Sequence, residues 1–212
     1  MYAMKIGVSF SLFGSDPLYM EGLYKNSVIL KDIYPDSTMI VHTDQPEMVG
    51  DKITNADVIG YPVSESNEGY FWRFLSYNDD HFDAVLFRDA DSVINVREAA
   101  AVRDWLSRDL PLYASLDHPA HYESEWPVMA GMWGARKGSI PFDFKYLVEW
   151  WIENNRPFNY TSDQWFLRRY IWPLIASGDG VLYNRSIRSR WRGEPWPEHE
   201  PYESFVGARI SQ

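Results

Sequence analysis

The chain has 212 residues, a formal net charge of −10, 45% hydrophobic and 24% charged residues, and no cysteine. These values fit one globular domain over residues 1–212, with the option that it is the first module of a longer chain. They argue against sequence-independent binding to nucleic acid or an anionic membrane, which needs excess Lys and Arg, and they exclude disulfide scaffolds, thiol catalysis and cysteine-ligated metal centres.

No stretch approaches the uninterrupted apolar length of a membrane span, and Met1 to Phe10 lacks the apolar run and cleavage site of a secretory signal. The expectation is a soluble, cytoplasmic protein. Its 10 Trp, 14 Tyr and 11 Phe are read first as core, and second as flat faces for sugar rings.

In chain order, Lys5 to Phe10 predicts a first strand, and Gly14-Ser-Asp-Pro17 a turn that opens a helix over Leu18 to Tyr34, closed by Pro35. Thr38 to Thr43 and Asp57 to Tyr61 predict the second and third strands, so the chain begins β-α-β. Gly69 to Asn78 reads as helix and Ala84 to Arg88 as strand. Asn95-Val-Arg-Glu98 is a capping-box-like start to a helix running to about Ser107. Pro111 to Leu116 and Val128 to Trp133 are further strand candidates. Phe142 to Asn154 and Ser162 to Tyr170 are late helices, the second with Ser162 as its expected cap. From Arg185 onward, arginines (185, 188, 190, 192), Pro195-Trp-Pro197 and four glutamates suggest an ordered but irregular wrap. Alternating strands and helices predict an α/β fold with a mainly parallel central sheet flanked by helices, whose ligands bind beyond the carboxyl ends of the strands.

The densest chemical signal lies at Ala84 to Asp91, where a four-residue apolar run delivers Asp89 and Asp91. Alternate side chains of an extended segment point the same way, so the two carboxylates can converge on one hard cation while Ala90 turns aside. Mg²⁺ or Mn²⁺ takes oxygen ligands and retains positions for water and substrate phosphate, which makes two carboxylates a sufficient half-site.

Four segments in this order are similar to those of metal-dependent glycosyltransferases of the GT-A fold. They are Lys5 to Gly14, Tyr70-Phe-Trp-Arg-Phe74, Phe87-Arg-Asp-Ala-Asp-Ser92 and Ala130-Gly-Met-Trp-Gly134. Thr161-Ser-Asp-Gln-Trp165 resembles the Asp-Gln stretch that retaining members place near the donor sugar, and Asp117-His-Pro119 resembles small bacterial and virus-encoded members. For a virus-encoded member the compartment would be the host cytoplasm.

The resemblance implies transfer of a sugar from a nucleoside diphosphate, with UDP the commonest donor base, to a glycan hydroxyl. A divalent metal would sit on Asp89 and Asp91, with His199 the late histidine candidate for a third ligand. Ser9 and Phe10 would belong to the nucleotide-binding strand, and Arg73 and Arg88 would clamp phosphate or ribose oxygens. Gly131 would allow close backbone approach to the sugar beside the stacking face of Trp133. Asp163 and Gln164 would orient the donor sugar or stabilise charge at its anomeric carbon. No residue stands out as a general base, which favours retention of configuration.

Two rival readings stay open at the level of sequence. One is a haloacid-dehalogenase-like phosphohydrolase with Asp89 as nucleophile and Asp91 as acid/base. The other is a non-catalytic nucleotide-sugar binding module.

Overall fold

The computed structural model describes residues 4–63, 66–184, 186, 189–197 and 205–210. The N-terminal part runs β1 (Ile6–Leu12), α1 (Pro17–Ile33), β2 (Ser37–Thr43), α2 (Pro46–Lys52) and β3 (Ala56–Gly60). Asp16 caps α1 by accepting from the Leu18 N–H at 3.0 Å, and Pro17, which has no N–H to lose, occupies the first turn. Helix α3 (Gly69–Trp72) passes directly into a 3-10 helix (Arg73–Asn78) before β4 (Ala84–Asp89). Then come α4 (Val96–Ser107), β5 (Leu112–Leu116), the short α5 (Pro119–Tyr122) and β6 (Met132–Arg136). The chain continues through α6 (Phe144–Asn154), α7 (Ser162–Tyr170), α8 (Trp172–Leu174) and β7 (Gly180–Asn184).

All seven strands join one sheet in the order β3-β2-β1-β4-β6-β5-β7. Strand β6 runs antiparallel to both β4 and β5, whereas the other pairings are parallel, so the sheet is mainly parallel with one reversed strand. The connections from β1 lead to one side and those from β4 to the other, which opens a crevice beyond the carboxyl ends of these neighbours. Their register pairs Ser11 with Asp89 at that end.

The core is one cluster of buried apolar residues drawn from every strand but β3. Phe74 stands at its aromatic centre, with ring centroids 5.5 Å from Phe87, 5.6 Å from Trp133, 6.0 Å from Phe166 and 6.4 Å from Phe144. Phe87 and Trp133 meet Phe74 edge to face, Phe166 stacks on it and Phe144 is tilted to it, and the cluster absorbs much of the aromatic content.

Several elements differ from expectation. Helix α2 buries only Val49 and therefore leaves little periodicity to read. Strand β7 is five residues long and was not foreseen. The expected strand over 128–133 starts instead at Met132, because Met129 to Met132 turns, with the Met132 N–H donating to the Met129 carbonyl at 3.0 Å. Ser162 is the first residue of α7 rather than its cap, and its hydroxyl pairs with Asn159 in the preceding turn. At α4 the expected cap is found, with Asn95 accepting from the Glu98 N–H at 2.9 Å.

Candidate functional site

A cavity of about 130 Å³ opens where β1 and β4 end. Strand β4 and the turn after it bring Asp89 and Asp91 to its wall, the start of α7 brings Asp163 and Gln164, and the helical segment after β3 brings Tyr70 and Arg73. Tyr19 of α1, Tyr160 and Phe13 add aromatic surface.

Arg73 is the hinge of this arrangement. Its backbone is held from both sides by β1, where the Ser9 hydroxyl donates to the Arg73 carbonyl and the Ser11 hydroxyl accepts from the Arg73 N–H, each at 2.9 Å. Alternation along the strand places these two serines on one face, so β1 fixes the residue that carries the charge. The guanidinium, with its side chain 5% exposed, spans two carboxylates: one nitrogen lies 3.1 Å from Asp89 Oδ1 and the other 2.7 Å from Asp163 Oδ2. A planar fork of donors suits this bridging of groups from β4 and α7.

Burial pushes the Asp163 carboxyl up to about 7, against the opposing pull of Arg73 and with a further push from Asp89. Its Oδ1 accepts from the Gln164 N–H at 2.8 Å. The Gln164 Oε1 atom is buried with no hydrogen-bond partner in the protein, an acceptor at the wall of the cavity. Asp91 is raised by burial first and by the charge of Asp89 second, while Arg209 lowers it from 3.0 Å away. Burial and the charge of Asp91 push the Tyr19 phenol up to about 12.

These shifts come first from burial and then from the closeness of the carboxylates to one another, a repulsion that a divalent cation would relieve. Among the described residues no cluster of three or more Asp, Glu or His offers a complete ligand set. The donor chemistry fits a hard cation held by Asp89 and Asp91, with its other positions left to water and substrate oxygen.

The loop segments around the carboxylates are tightly fixed. Gly131 runs against Asp89, and a Cβ at Gly131 would overlap the Asp89 carboxylate and backbone nitrogen. The close approach expected of Gly131 is thus made to Asp89. Asn26 of α1, fully buried, donates to the Ser92 carbonyl at 2.8 Å and accepts from the Ile94 N–H at 2.9 Å, clamping the turn after Asp91.

Five expected donor-binding residues do not line the cavity, Gly131 among them, whose neighbour Ala130 lines it instead. Ser9 and Phe10 are both buried, Ser9 supporting Arg73 and Phe10 packing in the core, while Ser11 and Phe13 line the cavity in their place. Arg88 faces away from Asp89 because neighbouring strand residues point oppositely. It lies 3.1 Å from Glu98 in a fully buried pair and donates to the Gly131 carbonyl at 2.9 Å, so it braces the Gly131 loop instead of clamping phosphate. Trp133 is 1% exposed and stacked on Phe87 at 4.2 Å, which leaves no face for a sugar. His199 lies outside the described residues.

Two of the described histidines, His42 and His118, have structural roles. Buried His42 hydrogen-bonds Ser76 at 2.7 Å and Tyr61 at 2.9 Å, and burial holds its ring down at about 3, hence neutral. His118 caps α5 by accepting from the Ala120 N–H at 3.1 Å. Asp117 accepts from Arg97 through both oxygens, at 3.0 and 3.1 Å, and from the Val206 N–H at 3.0 Å.

No protein-family model matches the chain, and no curated protein matches it in sequence. Solved structures do match in shape. A glycosyltransferase involved in the glycosylation of the major capsid of PBCV-1 superposes with a TM-score of 0.54 at 12% identity, covering 85% of this chain and 82% of its own. Mannosyl-3-phosphoglycerate synthase from Rubrobacter xylanophilus gives 0.54 at 13%, covering 93% and 68%. The 4-diphosphocytidyl-2C-methyl-D-erythritol synthase from Anaerococcus prevotii gives 0.50 at 10%, covering 88% and 90%. The chain has the GT-A, nucleotide-diphospho-sugar transferase fold. At these identities the likeness is one of fold, and activity must be argued from the site. No described helix is long and apolar enough to cross a membrane.

Proposed function

We propose that the chain is a metal-dependent glycosyltransferase moving a sugar from a nucleoside-diphosphate donor, with UDP the first base to test, to a hydroxyl of a glycan acceptor. The observation that carries this reading is the meeting of Asp89, Asp91, Arg73, Asp163 and Gln164 on one cavity at the β1/β4 crevice of a GT-A fold. Asp89 and Asp91 would hold Mn²⁺ or Mg²⁺, which when bound supplies Lewis-acid neutralisation of a diphosphate leaving group.

The chain's own residues supply position and field. Arg73 orients Asp89 and Asp163 relative to each other, since one guanidinium contacts both. Asp163, buried and titrating at about 7, would supply a carboxylate to stabilise positive charge at an anomeric carbon. Gln164 Oε1 offers its unused acceptor to a sugar hydroxyl. Tyr19, Tyr70 and Tyr160 give the cavity aromatic faces on which a sugar or base could pack.

Retention of configuration is the preferred stereochemical reading. Each of the three lining carboxylates already contacts an arginine, which leaves none poised as a free base.

The test is calorimetric titration of nucleoside diphosphates and nucleotide sugars, with Mn²⁺ and with chelator, into wild type and Asp91→Asn. Binding of one nucleotide that requires both the metal and Asp91 supports the reading. Metal-independent binding, or binding unchanged in Asp91→Asn, overturns the metal site. Product analysis separates the rivals, because a transferase releases nucleoside diphosphate, a phosphohydrolase inorganic phosphate, and a binding module neither.

A further inference from the structure

The carboxylate assigned to the metal is already occupied by a cation from the far end of the chain. Arg209 Nε lies 3.0 Å from Asp91 Oδ2, and a second guanidinium nitrogen lies 3.5 Å from Asp16 Oδ2. The guanidinium also lies over the Tyr19 ring, 5.7 Å from its centroid. The contact is not a single swinging side chain, because the backbone is attached as well. The Ile210 N–H donates to the Asp91 carbonyl at 2.8 Å, and Arg209 forms an antiparallel bridge with Ser92.

Upstream, the Val206 N–H is held by the buried Asp117 carboxylate, and the Phe205 ring lies 4.3 Å from that of His118. Residues 205–210 therefore form a strap fixed at Asp117 and at Asp91, and its Arg209 meets two cavity-lining residues, Tyr19 and Asp91. The strap delivers a positive charge to the one carboxylate of the pair that Arg73 does not contact strongly enough to count as an ion pair.

We infer that Arg209 is an internal counter-ion that competes with the divalent cation for Asp91, so that metal binding requires the 205–210 strap to withdraw its guanidinium. The inference rests on the assignment of Asp91 as a metal ligand. Without a metal, Arg209 at 3.0 Å from Asp91 offsets part of the repulsion between Asp89 and Asp91. With a metal, the same oxygen cannot serve both cations at contact distance. The exchange replaces a singly charged guanidinium with a doubly charged ion, so the pair Asp89 and Asp91 is neutralised more fully with the metal bound. The exchange makes occupancy of the site depend on a segment more than a hundred residues away in sequence.

The test reads metal directly, without turnover. Free Mn²⁺ is followed by its electron paramagnetic resonance signal during titration of wild type, Arg209→Gln, Ile210→Pro and Asp91→Asn. Ile210→Pro keeps the guanidinium but removes the N–H that ties the strap to Asp91. For a partly exposed ion pair, loss of the competitor should tighten Mn²⁺ binding about fivefold in Arg209→Gln. A smaller tightening is expected in Ile210→Pro and near-loss of binding in Asp91→Asn. As a second readout, tryptic cleavage after Arg209, followed by mass spectrometry, should speed up in wild type on adding Mn²⁺ and stay unchanged in Asp91→Asn.

Unchanged Mn²⁺ affinity in Arg209→Gln, where Asp91→Asn abolishes binding, overturns the competition and leaves the metal site standing. Weaker Mn²⁺ binding in Arg209→Gln, paired with weaker UDP binding, also overturns it and makes Arg209 a phosphate contact. Absence of Asp91-dependent Mn²⁺ binding in any form overturns both the competition and the metal assignment.

Discussion

The Cα of Gly131 lies so close to Asp89 that any Cβ there would occupy the space of the Asp89 carboxylate. Glycine is needed at this position because two backbones meet, and no positive φ is involved. Gly131→Ala must push Asp89 off its place beside Arg73. Displacement of a reacting group by about 1 Å costs on the order of 100-fold in rate. We expect turnover of Gly131→Ala to fall by about that factor while its circular dichroism stays native. Retention of more than half of wild-type turnover would contradict the placement of Asp89 at the reaction centre.

The raised pKa of Asp163 ties activity and stability to pH in opposite senses. A carboxyl whose folded-state pKa stands above its unfolded value binds its proton more tightly when folded. Stability is then greatest below the ordinary carboxylate range and falls as pH rises toward about 7. Turnover that needs the carboxylate should instead rise through about pH 7. Asp163→Asn should lose most activity and flatten this rise. Its stability relative to wild type should improve between pH 5 and pH 8, by about a few kcal/mol at most. Urea titrations at the two pH values read the second effect, and a parallel stability profile for both proteins would refute it.

The Arg88–Glu98 pair is buried on both sides, with exposures of 1% and 2%. Removing one partner leaves the other charge stranded, at a cost of about 3–5 kcal/mol. Arg88→Met should show that loss in urea unfolding near neutral pH. The penalty should shrink as pH falls, because burial already raises the Glu98 carboxyl and loss of Arg88 raises it further. The double variant Arg88→Met/Glu98→Leu should recover much of the stability. It should still bind nucleotide less well, because the Gly131 carbonyl has lost its donor. Additive losses in the double variant would contradict a paired role.

Asn26 makes three hydrogen bonds, one within α1 to the Gly22 carbonyl at 2.9 Å and two to the turn after Asp91. Asn26→Ala leaves the buried Ser92 carbonyl and Ile94 N–H without this partner. We expect a loss of about 2 kcal/mol together with Mn²⁺ affinity lowered several-fold. Thermal unfolding and Mn²⁺ titration measure the two effects, and a loss of stability with unaltered Mn²⁺ affinity would confine Asn26 to scaffolding.

Much of the site was legible in the chain because its signals are local. Asp89 and Asp91 announce themselves by spacing at the end of an apolar strand, and the Asn95 cap is read three residues from the N–H it binds. Arg73, Asp163 and Gln164 sit in short segments whose composition singles them out, and all three line the cavity. Arg88 carried an equally suggestive sequence position, one residue before Asp89. Strand alternation turns it to the other side, where Glu98 of α4 is waiting. Trp133 was similarly misplaced, since nothing in Ala-Gly-Met-Trp-Gly tells which face of β6 meets Phe74 and Phe87.

The sequence by itself determined the alternation of strands and helices, the acidic pair and the residue types able to serve a sugar nucleotide, because propensity, periodicity and i, i+2 spacing act over a few residues. Only the tertiary structure decided which groups meet. All but one of the contacts in the Arg73 bridge from Asp89 to Asp163, the Asn26 clamp on Ser92 and the Arg209 strap on Asp91 join residues 66 or more positions apart. The exception, Arg73 to Asp89, is nearer in sequence, 16 positions (89 − 73), yet it too depends on β1 holding the Arg73 backbone. Such contacts follow from how the sheet order and the packing of helices against it bring distant segments together, and local pattern carries no record of that.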